Sequence, residues 1–192
     1  MSRLPYLRYD DLDPAAKEVW DHIVGSRADA MLNEQGGLTG PFNALVHAPA
    51  IGKHLTALGL ALRYETSIPR RLTEVAIITV GARWQAEFEW WAHAQMARRH
   101  GVSDPVIEAI RQGEDPPFEA DDERTVHAAA RQLAGAGQLS QDTYDAVREL
   151  LGDTGVVELI TLCGYYTLIS FVLNGLAVPL PADAEPAWGA TE

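Results

Sequence analysis

The sequence predicts an all-α protein of eight or nine helices. Apolar residues recur at helical spacing, and Gly, Pro and Asn separate the segments that they define. No run of alternating apolar and polar residues is long enough to predict a strand. With 192 residues the chain is large enough to build one hydrophobic core. Residues 1–192 are therefore predicted to form a single domain, with 183–192 as a loose C-terminal tail.

The helix boundaries are predicted from capping residues. Asp13 and Pro14 suit an N-cap and a first helical turn, so the first helix is expected to begin there and to end near Val24. Residues 26–43, which are rich in Gly, are expected to form a loop. The other helices are predicted at 49–64, 68–81, 85–100, 103–113, 121–134, 140–151 and 153–176.

The longest uncharged segment, residues 159–182, has the length of a membrane span. Polar side chains are scattered through it, and neither flank carries a cluster of Lys or Arg that would set an orientation. A buried helix, in the core or in an oligomer interface, is the better interpretation. The segment and the tryptophans at 20, 84, 90 and 91 provide much apolar surface, which favours a homo-oligomer.

Charge and cysteine content exclude several classes of protein. The formal net charge of −12 argues against nucleic acid and anionic membranes as partners. Cys163 is the only cysteine, so the chain has no internal disulfide, no Cys-x-x-Cys pair and no Cys-based zinc cluster. The polar, acidic start does not resemble a signal peptide, and the predicted location is therefore cytoplasmic.

Three ionisable residues are the candidate catalytic group. Glu89 and His93 are four residues apart, which places them on one face of the predicted helix 85–100. If the chain reverses between residues 81 and 85, Glu74 of the preceding helix comes level with Glu89. A carboxylate beside an imidazole raises the pKa of the histidine and fixes its tautomer. The arrangement favours acid–base chemistry over any particular substrate.

Other interpretations of these three residues stay open. Glu89 and His93 could form an ordinary contact on a helix surface, and Glu74 could be an ion-pair partner of Arg71 or Arg83. The three side chains could also supply the ligands of a catalytic metal, although no second histidine is placed to join them.

Four further residues are weaker candidates for substrate binding. Asn43 and His47 lie in the segment GPFNALVHAP, which is predicted to form a loop over the pocket, and His47 could instead cap a helix. Trp90 and Tyr166 could contact the substrate or simply belong to the core or a subunit interface. The remaining histidines are interpreted as surface or supporting residues; they are His22, His54, His100 and His127.

Four sequence blocks, in order, resemble the carboxymuconolactone decarboxylase family, which is related to alkyl hydroperoxidase D. They are RLPYL at 3–7, GPFNALVHAPAIG at 40–52, RLTEVAIITVGARWQAEFEWWAHAQMARRHG at 71–101 and VVELITLCGYYTLISFVLNGL at 156–176. The resemblance implies an alkyl hydroperoxidase D-like helical fold with a central antiparallel helix hairpin. It also implies trimers or hexamers, and neither a metal nor a cofactor.

Compared residue by residue, the chain departs from the peroxidase branch of the family and agrees with the decarboxylase-like branch. The glutamate of the peroxidase branch matches Glu74 and its histidine matches His93, but the two cysteines of its Cys-x-x-Cys-x-x-x-His motif fall on Ala86 and Glu89. Without thiols at these positions, thiol peroxidase activity is not expected. In the decarboxylase-like branch, a Glu and a His are expected at positions 74 and 93, and both are present.

The resemblance to this branch implies a lyase that acts on a small lactone or keto acid, with Glu74, Glu89 and His93 as catalytic residues. Decarboxylation is the predicted reaction, and isomerisation or lactone hydrolysis would use the same proton donor and acceptor. The alternatives are an oligomeric binding protein without catalysis, a family-type peroxiredoxin, and a metal-dependent hydrolase or lyase held by the Glu and His residues.

Overall fold

A computed structural model describes residues 2–26 and 32–189 and confirms the all-α prediction. These residues contain a short 3₁₀ helix, Tyr9–Asp11, and no β-strand beyond an isolated bridge between Leu32 and Leu38. The α-helices are α1 Pro14–Ser26, α2 Phe42–His47, α3 Pro49–Tyr64, α4 Arg70–Arg83, α5 Glu87–Arg99, α6 Asp104–Gln112, α7 Asp121–Ala136 and α8 Gln141–Gly175.

The predicted helix boundaries agree with the structure to within a few residues, but α2 was missed. Residues 40–49 were predicted to form a loop, whereas Phe42–His47 form a helix of six residues. The corner between α2 and α3 depends on Gly52, because a Cβ there would lie 2.2 Å from the carbonyl oxygen of Leu45. Part of the predicted loop 26–43, residues 27–31, lies outside the described residues.

The long helix α8 is broken where the sequence predicts a boundary. Gly152 has φ 70° and ψ 176°, which is not helical and which favours glycine. The segment after this break is apolar enough to cross a membrane. Part of this segment belongs to the core, since Leu159, Leu162 and Leu173 are buried.

The chain divides into two compact units. The first comprises the chain up to Glu65 together with Val172–Pro179. In this unit α1 packs against α2 and α3, and α2 also packs against α3. Its core is apolar and is formed by Leu12, Ala16, Val19, Trp20, Ile23, Leu38, Leu45 and Val46.

The second unit comprises Thr66–Phe171 and the residues from Leu180 onward, and α4 is its central helix. This helix packs against α5, α6 and α7. Every residue from Leu72 to Gly81 is buried, as expected for a helix with neighbours all round. Glu74 is in this buried stretch, so its charge must be compensated by partners from the surrounding helices.

The prediction of a loose tail at 183–192 is wrong for its central part. The carboxylate of Glu87 accepts hydrogen bonds from the backbone N–H groups of Ala187 and Trp188, at 2.7 and 3.0 Å. The indole N–H of Trp188 donates to the carbonyl oxygen of Arg111, and its ring meets that of Trp90 edge to face. These contacts hold the segment against α5 and α6 because they satisfy its backbone and bury its aromatic ring.

Candidate active site

The candidate site is formed where α4 and α5 pack against each other. Gly81 near the end of α4 lies beside Glu89 and Trp90, whereas Glu74 near its start reaches His93. This order of contacts shows that the two helices run antiparallel, as the predicted chain reversal requires. The turn between them includes Gln85, whose φ of 46° lies in the left-handed region.

The structure brings the three predicted catalytic residues together. Nδ1 of His93 lies 2.7 Å from Oε2 of Glu74, and Nε2 lies 3.1 Å from Oε1 of Glu89. Each nitrogen of the imidazole therefore faces a different carboxylate. Because an ionised carboxylate only accepts hydrogen bonds, this geometry suits an imidazolium ring with a proton on both nitrogens.

Burial and charge act in opposite directions on His93. Burial by itself would lower the pKa of the ring, but the charges of Glu74 and Glu89 outweigh it and raise that pKa to about 9. The side chain of Glu74 is 0% exposed, against 5% for Glu89 and 10% for His93. The pair formed by Glu89 and the Nε2 atom is thus the outer, more accessible side of the group. The position of Glu89 in the first turn of α5 favours its negative charge.

Glu74 has a charged partner that the sequence analysis missed. Nη2 of Arg70 lies 2.7 Å from Oε1 of Glu74, one helical turn earlier on α4. Arg71 was proposed for this role but binds Asp122 and Glu123 instead. The i, i+4 spacing of an Arg and a Glu is visible in the sequence and could have identified the pair.

The two aromatic candidates, Tyr166 and Trp90, are both near the group. The ring of Tyr166 from α8 meets the His93 imidazole edge to face, with centroids 5.1 Å apart. Trp90 is buried and packs against Trp188 of the C-terminal segment, with centroids 5.2 Å apart. Tyr166 therefore positions the imidazole ring, and Trp90 joins α5 to the chain terminus.

Asn43 and His47 bind the N-terminal segment of their own unit. Asn43 is buried, donates to the carbonyl oxygen of Pro5 at 3.0 Å and accepts from the backbone N–H of Leu7 at 3.1 Å. Nε2 of His47 donates to the same Pro5 oxygen at 2.9 Å. Both side chains thus satisfy backbone groups that a short irregular segment would otherwise leave unpaired. Their role in substrate binding stays a prediction.

His127 is buried, so of its two interpretations, surface residue or supporting residue, only the second remains. The hydroxyl of Thr79 donates to the carbonyl oxygen of Val75, so it must accept the Nδ1–H of His127, at 2.9 Å. The Nε2 atom is buried without a hydrogen-bond partner in the described residues. Burial, aided by the charge of Arg131 and opposed by that of Asp115, lowers the pKa of His127 to about 4. This ring is neutral, unlike that of His93.

The positions of the thiols in the peroxidase motif hold no thiol here. Ala86 is buried at the start of α5, and Glu89 faces His93. Cys163 is buried on α8, where burial raises the pKa of its thiol to about 12. Its thiolate is therefore scarce at neutral pH, and the thiolate is the reactive form.

The geometry gives no support to the alternative of a metal site. Within residues 2–26 and 32–189, no group of three or more His, Cys, Asp or Glu side chains could hold a metal ion. At the candidate site both ring nitrogens of His93 face carboxylate oxygens, so the three side chains satisfy one another.

These features define a helical protein with a buried group of two carboxylates and an imidazole between two antiparallel helices. Residues 49–134, which include Glu74, Glu89 and His93, match the model of the carboxymuconolactone decarboxylase family. A comparison with curated proteins finds no match.

The fold is similar to a solved structure from Ralstonia eutropha JMP134, the alkylhydroperoxidase AhpD core of an uncharacterized peroxidase-related protein. The TM-score is 0.75 at 15% sequence identity, and the match covers 95% of this chain and 93% of that chain. The family model thus matches the part of the chain that carries the candidate site, and the solved structure shares the fold.

Proposed function

We propose that the protein is a cofactor-independent acid–base enzyme that decarboxylates a small lactone or keto acid, as 4-carboxymuconolactone decarboxylase does. The observation that supports this most is the His93 ring, which lies between the carboxylates of Glu74 and Glu89 at 2.7 and 3.1 Å. A histidine held in this way stores a proton in a buried position, which is what a general acid requires.

The proposed reaction uses that proton. The bond between the substrate carbon and its carboxylate breaks, CO₂ leaves, and the electron pair stays on the carbon and is delocalised into the lactone or keto carbonyl. The imidazolium of His93 then transfers its Nε2 proton to this carbon. One proton from solvent restores the imidazolium, so each turnover consumes one proton.

The three residues have distinct roles in this proposal. His93 is the proton donor, and Glu89 shares its outer nitrogen and so guides the transfer. Glu74 is buried and binds the inner nitrogen, where it holds the ring orientation and stabilises the positive charge. His93 and Glu89 could also transfer protons in an isomerisation or a lactone hydrolysis. Which reaction occurs therefore depends on the substrate.

A thiol peroxidase is a weaker alternative for this chain. Ala86 and Glu89 stand in place of both motif cysteines, and the one thiol, Cys163, is buried with a pKa raised to about 12. The relative that shares the fold is described as peroxidase-related, but at 15% identity the likeness concerns the fold alone.

The test is a panel of lactone acids and β-keto acids incubated with the protein in D₂O. CO₂ release and deuterium incorporation at the former carboxyl-bearing carbon are followed together, because the proposed step produces both. His93→Gln and Glu89→Gln should each lose the activity, whereas His100→Gln, on an exposed histidine just after α5, should keep it. Binding of panel members without either product would favour the binding-protein alternative.

A further inference from the structure

Arg70 is the partly exposed end of a row of four alternating charges. Its guanidinium pairs with Oε1 of Glu74, whose other oxygen pairs with His93, which in turn faces Glu89. The side chain of Arg70 is 26% exposed, while that of Glu74 is 0% exposed. On the α4 side of the group, solvent therefore reaches the guanidinium of Arg70 but not the carboxylate of Glu74.

The sum of these charges differs between the two protonation states of His93. With the imidazolium present, the charges of Arg70, Glu74, His93 and Glu89 sum to zero. After His93 gives up its proton, the sum is −1. If Arg70 were uncharged, the same two states would carry −1 and −2. Release of the proton would then raise the negative charge of a buried site from −1 to −2, which is costly.

We propose that Arg70 is a positioning residue that makes the proton of His93 available for transfer. It acts through Glu74 and does not touch the imidazole itself. Its positive charge lowers the free-energy cost of the deprotonated state, so the imidazolium is acidic enough to protonate a substrate carbon. The effect of Arg70 on catalysis rests on the proposed function. Its effect on the acidity of His93 does not, because that effect follows from the charges at the site.

The other ionisable groups around His93 act from different elements. Glu74 is on α4, Glu89 on α5 and Tyr166 on α8, and all three face the ring. A substitution at Arg70 leaves all three side chains in the sequence and removes only the ion-pair partner of Glu74. A change in the titration of His93 in such a variant is therefore attributable to the guanidinium.

Arg71 provides a matched control on the same helix. It is also partly exposed and also pairs with carboxylates, but these are Asp122 and Glu123 of α7. Arg71→Gln removes the same charge one residue away without removing a partner of Glu74. Arg70→Lys keeps the charge, although it replaces the planar guanidinium by a smaller ammonium group.

The experiment is an NMR titration of the His93 ring in protein labelled with ¹⁵N-histidine, with the signals assigned by comparison with His93→Gln. Arg70→Gln should increase the pKa of His93 by about one, as expected for the loss of a nearby charge at an effective dielectric constant of about 20. Arg70→Lys and Arg71→Gln should leave it close to the wild-type value. A pKa that is unchanged or lowered in Arg70→Gln would overturn the inference.

Kinetics on whichever panel acid is turned over then test the catalytic consequence. In Arg70→Gln, kcat should fall about tenfold with KM little changed, the alkaline limb of the pH–rate profile should move to higher pH, and Arg70→Lys should recover most of the rate. If no panel acid reacts, the proposed function fails, yet the NMR titration still decides the role of Arg70. A lower kcat in Arg70→Gln without any change in the titration would contradict the proposed mechanism for this residue.

Discussion

Nδ1 of His93 donates a 2.7 Å hydrogen bond to Oε2 of Glu74, which joins residues 19 positions apart on two antiparallel helices. The carboxylate is completely buried, so neither charge is screened by water. This contact joins Glu74 of α4 to the pair formed by Glu89 and His93 on α5, so that the three side chains form one group. The imidazole is held by α4 through Nδ1, while its Nε2 atom faces Glu89 of α5.

The first prediction is that His93 and Glu89 act as a coupled pair. His93→Ala and Glu89→Gln should each remove most of kcat, and the double variant should be little worse than either one, because residues that act as a unit are not additive. Wild-type activity should show a bell-shaped pH profile, with the alkaline limb near pH 9, where His93 loses its proton. Steady-state kinetics on an active panel acid give all these values.

Glu89→Gln should still fold, since the amide keeps the shape of the carboxylate and much of its hydrogen bonding. Circular dichroism and thermal melting check this. A folded but strongly destabilised Glu89→Gln protein with intact turnover would mean that the pair is structural and would favour the binding-protein alternative.

The second prediction concerns stability against pH, on which His93 and His127 have opposite effects. Histidine in the unfolded chain titrates near pH 6.5. The pKa of His93 is raised to about 9, so its stabilising effect is complete below pH 6.5 and is lost as pH rises through 9. The pKa of His127 is lowered to about 4, so the fold loses stability as pH falls from 6.5 through 4.

Each effect should be on the order of 3 kcal/mol in the free energy of unfolding, given about 1.4 kcal/mol for each pKa unit. Urea unfolding between pH 4 and pH 10 measures it. His127→Gln should flatten the acid side of the stability curve, and His93→Gln the alkaline side. If His127→Gln keeps the wild-type slope on the acid side, His127 does not cause that slope. The same holds for His93→Gln on the alkaline side.

The third prediction is negative and concerns the thiol. Cys163 is buried with a pKa raised to about 12, and Ala86 and Glu89 occupy the positions of the motif cysteines. Cys163→Ser should therefore alter no activity that the wild type has, and an alkyl hydroperoxide with a dithiol donor should not be turned over. Peroxide consumption that depends on the donor and disappears in Cys163→Ser would contradict this.

The fourth prediction is a homo-oligomer that covers an apolar stripe on α8. Exposed side chains at helical spacing form this stripe, and Val157 and Phe171 at its ends are 64% and 53% exposed. Between them lie Ile160 and Leu168, which are also exposed. Sedimentation at micromolar concentration should show an assembly, with trimers or hexamers implied by the family resemblance.

Ile160→Lys should weaken that assembly, because it would bury an unpaired charge in the interface. Val24→Lys, at an exposed position on α1, is the control and should leave the sedimentation profile unchanged. A wild-type protein that sediments as a monomer at micromolar concentration would contradict the prediction of a homo-oligomer.

The fifth prediction is that the C-terminal segment contributes to stability. Trp188→Ala would remove the ring contact with Trp90 and the hydrogen bond to Arg111, so the free energy of unfolding should fall by about 2 kcal/mol. Glu185→Ala, at an exposed position in the same segment, should change it by less than about 0.5 kcal/mol. Equal stability of Trp188→Ala and wild type in urea would show that the segment is only loosely held.

Local patterns in the sequence account for the fold class and for most helix boundaries. The break at Gly152 and the helix end before Gly113 were predictable because glycine accepts the left-handed φ values found there, 70° and 73°. The short helix α2 was not predictable in the same way, since six residues carry too little periodic signal and the corner depends on the close approach of Gly52 to Leu45.

The sequence by itself determined the chemical types at the candidate site: two carboxylates and an imidazole, with no thiol beside them. Spacing on one helix was enough to pair Glu89 with His93. Only the tertiary structure decided which charges meet across helices. It joined Glu74 to His93, buried His127 against Thr79, and fixed Ala187 and Trp188 on Glu87. Such contacts depend on packing between segments far apart in the chain, which local periodicity does not encode.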